Sequence, residues 1–176
     1  MKEEFQNRAH SAATPLSLRP VRREDEEFLL EVYASARAEE LSQTGWDEAQ
    51  KRAFLRMQFA AQQQHYQSRF PNGDHRLIIR DGRPAGRIYT AGTDQEIRIL
   101  DLTLLAQHRN AGVGTALLKD ILADAEDSRR TVRIYVESFN PSLRLFERLG
   151  FSCVETSGLN RLMEWRPKAQ RASAEL

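Results

Sequence analysis

The segment Gln107-His108-Arg109-Asn110-Ala111-Gly112-Val113-Gly114-Thr115 joins an apolar run to a stretch of helical periodicity. A loop that closes a strand and opens a helix aims backbone N–H groups outward at the positive helix end, where an anion is stabilised. Gly112 and Gly114 let the backbone come close to phosphate oxygens, and Arg109 adds a charge with donors suited to a pyrophosphate. Two familiar phosphate loops do not fit. Leu117 stands where the third glycine of G-x-G-x-x-G belongs, and Gly114 is followed by Thr115 rather than by a lysine and a hydroxyl residue. On these residues alone, the glycines equally admit a simple turn into the helix.

The elements that must position this loop can be read on either side of it. Ile97 to Leu105 is nearly all apolar, broken by Arg98, Asp101 and Thr103, and reads as a central strand covered on both faces. After Gly112, Val113, Leu117 and Ile121 with Leu118 and Leu122 recur at helical spacing. Upstream, Leu16 to Val21 reads as a strand. A helix led by Glu24 to Glu27 follows, where the macrodipole favours negative charge. A second helix spans Asp47 to Arg69, with Phe54, Leu55, Met57, Phe59 and Ala61 as its apolar positions and Gln62 to Gln64 as solvated face.

Leu77 to Ile79, the Asp81-Gly82 turn and Pro84 to Ala91 make a hairpin. Thr131 to Glu137 is a strand, Pro141 to Leu149 a short helix opened by Asn140, and Phe151 to Glu155 and Arg161 to Trp165 are closing strands. The order is mixed α/β, and 176 residues suit one domain, placed at residues 15–167. Residues 1–14 and 168–176 have the composition of tails.

Composition narrows the partners. Lys and Arg number 26 against 25 Asp and Glu, so no positive field drives phosphate-backbone binding, and nucleic acid is not expected. The single cysteine, Cys153, cannot form an internal disulfide and reads as a small buried hydrophobe, which suits a reducing cytoplasm. The polar start carries no secretory core and no run is long enough to cross a bilayer, so neither export nor a membrane partner is expected. His10, His65, His75 and His108 lack ligand spacing, so no metal is expected and each reads as a surface or core histidine.

The strand, Arg109-x-x-Gly112-x-Gly114 and the helix after it together resemble the acyl-CoA-binding motif of the GNAT superfamily of N-acetyltransferases. Asn140-Pro141-Ser142-Leu143-Arg144-Leu145-Phe146-Glu147-Arg148-Leu149-Gly150-Phe151 is similar to that family's late helix, and the resemblance extends from Leu16 to Trp165. It implies a mixed central sheet of about six to seven strands flanked by helices, with splayed fourth and fifth strands. It also implies acetyl-CoA as cosubstrate and transfer to a primary amine of a small molecule or peptide by direct attack in a ternary complex.

By resemblance, Leu102 and Leu104 offer backbone groups to the pantetheine, Arg109, Asn110, Ala111, Gly112, Val113, Gly114 and Thr115 hold the pyrophosphate, and Asn140 meets the cofactor. Asn140 reads equally as a helix N-cap. A tyrosine of the late helix commonly protonates the leaving thiolate in this family, and Phe146 stands at that position. Phe146 keeps the packing on the pantetheine without the proton donor, so water or Tyr135 takes that part, or the chain is a non-catalytic acyl-CoA-binding module.

Amine acetylation needs a neutral nucleophile, hence a group to remove a proton. Burial raises the basicity of a carboxylate, which makes Asp101 the first candidate, Glu96 the second and Glu137 a further one; the alternative is that Asp101 is a hydrogen-bonded structural acid and Glu96 a solvated edge charge. The apolar late strands could pair across a homodimer or finish the core.

Overall fold

The computed structural model describes residues 16–171, so the expectations for residues 1–14, His10 among them, and for 172–176 lie outside the described residues. Among the described residues, seven strands and five helices follow in the order β1 (Leu16–Pro20), α1 (Glu26–Ser42), α2 (Glu48–Arg69), β2 (Asp74–Arg80), β3 (Arg83–Gly92), β4 (Glu96–Leu104), α3 (Val113–Asp127), β5 (Thr131–Glu137), α4 (Leu143–Arg148), β6 (Ser152–Ser157), β7 (Asn160–Trp165) and α5 (Lys168–Arg171). The strands form a mixed sheet in the order β1-β2-β3-β4-β5-β7-β6. Most pairs are consecutive in sequence, and the parallel pair is bridged by a helix, the crossover that a parallel ladder requires. That pair is β4 with β5, and its ladder joins Glu96–Ile99 to Thr131–Ile134. The expected mixed α/β class is what the chain adopts.

The chain divides into two compact units, and β3 and β4 each contribute residues to both. The first unit runs to Tyr89 and includes Asp101–Ala111. In it β1 pairs antiparallel with β2, and Leu29, Leu30, Tyr33, Phe59 and Leu77 form the core. The chain enters α1 through a 3-10 turn at Arg23–Asp25. Arg19 grips the buried Asp25 with two hydrogen bonds, 2.7 and 2.6 Å, and the Arg22 N–H donates to it at 2.7 Å. The Arg19 hydrogen bonds and the Arg22 N–H hold the Asp25 carboxyl below the usual carboxylate range against the cost of burial.

Helix α2 opens on a reciprocal cap. Asp47 accepts from the Gln50 N–H at 2.8 Å, and the Gln50 side chain accepts from the Asp47 N–H at 3.0 Å. Leu55, Phe59, Gln62 and Tyr66 trace its inward line at helical spacing, apolar first and polar later. The expected apolar face was therefore rotated. Met57 and Ala61 are exposed, and Gln62, expected in solvent, is half-buried.

The second unit holds Thr90–Leu100 and the chain from Gly112. Leu117, Leu118, Ile121 and Leu122 of α3 are buried, as the period predicted. β5 pairs antiparallel with β7 and β7 with β6, where a bulge falls between Cys153 and Glu155. β6 is the edge strand of the sheet and all its residues are exposed, so Cys153 is exposed rather than buried. Its Sγ lies 3.4 Å from the Glu155 carbonyl and 3.7 Å from the Thr156 hydroxyl.

Part of the expected C-terminal tail is helix, Lys168–Arg171, anchored where the Lys168 N–H donates to Glu126 at 3.1 Å. Among the described residues no helix is long and apolar enough to cross a membrane.

Candidate active site

Strand β4 delivers the chain to the loop. Only Ile97 and Ile99 of β4 are buried, and Leu100 to Leu104 are half-buried, so the expected coverage of both faces fails in the half nearest the loop. In the first unit that half is pressed against β3. The Leu105 N–H donates to the Ala85 carbonyl at 2.9 Å, and a Cβ on Gly86 would strike the Thr103 carbonyl and Leu104.

After a 3-10 turn at Ala106–His108 the backbone takes the left-handed conformation at Asn110, φ 57°, and again at Gly112, φ 80°. Asparagine tolerates this region and glycine adopts it freely. Gly112 is the N-cap of α3, and no side chain caps the first turn, so the leading N–H groups stay directed out of the helix. Arg109, Asn110, Ala111 and Gly112 are exposed, Gly114 and Thr115 half-buried, and Val113 anchors the turn in the core. A Cβ on Gly114 would meet nothing nearer than Leu145 Cδ2 at 3.9 Å, and one on Gly112 would meet nothing within 4 Å. Packing within the protein therefore does not demand glycine at Gly114.

Arg109 reaches from the loop to β4 and α1. Its Nε donates to the Leu104 carbonyl at 2.9 Å, and Nη2 donates to the carbonyl and hydroxyl of Ser35 on α1, both at 3.1 Å. The guanidinium thus ties the end of β4 to α1. A side chain with five donors satisfies the backbone around it before it meets any anion.

The two candidate acids are not brought together. Asp101 lies in the half of β4 nearest the loop and in the first unit, where Arg87 Nη2 hydrogen-bonds its Oδ2 and the Thr103 hydroxyl donates to its Oδ1 at 2.6 Å. Glu96 begins β4, five residues away and about 16 Å along an extended strand. Both of its oxygens are taken by arginines in the second unit, Arg98 Nε and Arg133 Nη1, each at 2.8 Å. Glu137, at the end of β5, is exposed.

Around Asp101 lies a polar cluster that the sequence reading missed. Arg87 of β3 is 2 % exposed, and its Nη2 also donates to Gln62 Oε1 of α2 at 2.7 Å. Its carbon centre lies 5.6 Å from the Phe59 ring and 6.0 Å from the Tyr33 ring. Beside it, Tyr89 stacks on His75 at 4.6 Å and 8°, and Tyr66 meets Tyr89 edge-on at 5.2 Å. Burial, with the charge of Arg87, lowers the His75 imidazole to about 4, so it is neutral near pH 7. Burial and the Asp101 charge raise Tyr66 to about 12. One signal was available: Arg87 interrupts an apolar strand just as Asp101 does, with the opposite charge.

In the second unit, Asn140 accepts from the Ser142 N–H at 2.9 Å, a turn two residues ahead of α4. The N-cap of α4 is Ser142 and the helix is shorter than expected, so the capping alternative for Asn140 fails in detail. Phe146 is a core residue, 3 % exposed and edge-on to Phe151 at 5.3 Å. Tyr135 is exposed on β5.

The parallel β4–β5 pair is thus crossed over through a glycine loop that opens helix α3 without a side-chain cap. Residues 33–167 match the acetyltransferase (GNAT) domain model, and the chain belongs to that family. The PaiA N-acetyltransferase of Thermoplasma acidophilum, solved in complex with coenzyme A, is similar in fold: TM-score 0.64 and 19% identity over 86% of this chain and 98% of that one. An acetyltransferase of Thermus thermophilus aligns with TM-score 0.60 and 19% identity over 86% and 96%. Ard1 of Thermoplasma volcanium aligns with TM-score 0.55 and 20% identity over 86% and 97%. No curated protein is similar in sequence to this chain.

Proposed function

We propose that the chain is an N-acetyltransferase that passes the acetyl group of acetyl-CoA to a primary amine by direct attack in a ternary complex. The observation that carries this reading is the family match over residues 33–167, which spans the uncapped start of α3. The loop fits the cosubstrate's pyrophosphate: its first-turn N–H groups are directed outward, and Gly114 leaves open a space that a Cβ would narrow. Asn110 to Thr115 hold the pyrophosphate, with Arg109 fixing the loop to β4 and α1. The backbone of Leu102 and Leu104 receives the pantetheine, and the Leu104 N–H stabilises the oxyanion in this reading. Acetyl-CoA, when bound, supplies an acyl group activated as a thioester.

Asp101 acts on the acceptor. Its carboxylate is held by Arg87 and Thr103, in the half of β4 nearest the loop, and retains lone pairs to orient an ammonium and accept its proton. Glu96 is excluded from this part by its place at the other end of β4. The leaving thiolate needs no tyrosine here: a thiol of pKa near ~8.5 is a fair leaving group, and solvent protonates it. An acceptor amine in solution fits this chemistry, and the single cysteine suits a reducing cytoplasm.

Calorimetric titration with acetyl-CoA and CoA, with ATP and NAD as controls, tests the reading when repeated on Gly114→Ala and Arg109→Ala. Selective binding of the CoA compounds, weakened by both variants, is expected, followed by acceptor-dependent thiol release across a panel of amines. No binding by the folded protein overturns it.

A further inference from the structure

Arg87 holds more hydrogen-bonding capacity than the protein uses. Its Nη2 serves Gln62 and Asp101, while Nε and Nη1 are buried without a partner. A guanidinium stays charged, and buried donors with no acceptor cost free energy, so such a group marks where something else belongs. What belongs there must be rich in lone pairs and carry no surplus hydrogens. A carboxylate answers that demand: it only accepts, and its charge strengthens a hydrogen bond from a guanidinium.

Charge narrows the partner further. Asp101 already neutralises Arg87, so a bare anion would leave the buried cluster one negative charge in excess. A molecule with a carboxylate and an ammonium restores the balance: its carboxylate meets Arg87 while its ammonium faces Asp101, and the four charges alternate. His75, whose Nε2 is also buried without a partner, feels the charge of Arg87 and adds a second polar atom to the cluster. Because α2 covers the site through Gln62, the head group admitted must be small.

We propose that the acceptor is a small zwitterionic amine of the amino-acid class, whose carboxylate accepts from the free Nη1 of Arg87 while its amine is presented to Asp101. The proposal rests on the acetyltransferase reading and names the substrate class of that same site. Chemistry alone favours the opposite choice. An amine beside an amide has a pKa near about 7.7–8.0 and is more readily neutral than that of a free amino acid, so preference for the acid requires recognition of the carboxylate.

The test titrates free amino acids and their primary amides, one matched pair at a time, into the protein saturated with CoA, and measures acetylation of the same pairs. The acid of at least one pair should bind about tenfold or more tightly than its amide, and should be acetylated with the same preference. Arg87→Lys keeps a cation for Asp101 but loses the fixed Nη1 donor, so it should bring the ratio toward one while leaving acetyl-CoA affinity unchanged. The wild-type comparison needs no variant to fold. Equal or weaker binding of every acid, or saturable binding by none, overturns the proposal. Failure of acetyl-CoA itself to bind would instead overturn the acetyltransferase reading, and the two failures are separate measurements.

Discussion

Arg87 Nη2 donates to both Asp101 Oδ2 and Gln62 Oε1, so one buried guanidinium on β3 joins an acid on β4 to an amide on α2. Removing one member of a buried ion pair strands the other charge. Arg87→Met is expected to destabilise the fold by about 3–5 kcal/mol, measured by urea unfolding. The double variant Arg87→Met/Asp101→Asn should recover a large part of that loss, because no charge is then left unpaired. Additive losses in the cycle would show that the two side chains do not act together.

Gly112 and Gly114 separate backbone demand from ligand demand. Gly112 sits at φ 80°, where an alanine is strained by about 1–2 kcal/mol although nothing crowds its Cβ. Gly112→Ala should therefore lower stability and acetyl-CoA affinity together. Gly114 is within α3 with open space at its Cβ, so Gly114→Ala should leave stability unchanged or raise it by about 0.5–1 kcal/mol. Acetyl-CoA affinity should nevertheless fall about tenfold or more, since the methyl group occupies the phosphate approach. Thermal unfolding and calorimetry on the same preparations check both. Unchanged affinity in Gly114→Ala would show that the pyrophosphate does not lie against that residue.

The two acids read from the sequence should part in kinetics. Asp101→Asn keeps the shape of the group and removes its charge, so kcat should fall about 10²–10⁴-fold with acetyl-CoA affinity unchanged. Glu96→Gln alters a network of Arg98 and Arg133 at the far end of β4, and kcat should stay within about twofold of the parent. Steady-state rates normalised to folded protein decide it. Equal effects from both substitutions would argue against a distinct role for Asp101.

Most of the fold could be read because each element carries its own signal. The period-3.6 pattern after Gly112 marked α3, the Asp81-Gly82 turn marked the β2–β3 hairpin, and Thr131 to Glu137 is β5 to the residue. The loop was legible for the same reason, since strand, glycines and helix are contiguous. What failed depends on contacts between segments distant in sequence. The inward face of α2 is set by Arg87, which draws Gln62 and not Met57 to the interior. The Arg109 side chain is claimed by Ser35, 74 residues away. Cys153 is exposed because β6 lies at the edge of the sheet with all its residues exposed, and its own pattern does not announce that place in the strand order.

His75 should set the acid stability of the first unit. Its imidazole is held neutral by burial and by the nearby charge of Arg87, with a folded value of about 4 against about 6.5 in the unfolded chain. The unfolded state therefore binds the extra proton first. The contribution is fully present above about pH 6.5, declines as pH falls through the window between the two values, and is exhausted near pH 4. Asp25 and Glu164 are shifted in the other sense, each held below the usual carboxylate range. For Asp25 the Arg19 hydrogen bonds act against burial; for Glu164 burial acts upward and is outweighed by hydrogen bonds from Arg166 and Arg133. Their contributions are present above the unfolded carboxylate values and fade at lower pH than the window of His75. Wild-type stability should thus drop by up to about 3 kcal/mol between pH 7 and pH 4 from this one group. His75→Gln, which cannot take up the proton, should flatten the profile over that window and keep the steeper loss below it. Urea midpoints at pH 7, 5.5 and 4 measure the difference, and parallel profiles for the two proteins would mean that His75 is protonated in the fold as readily as out of it.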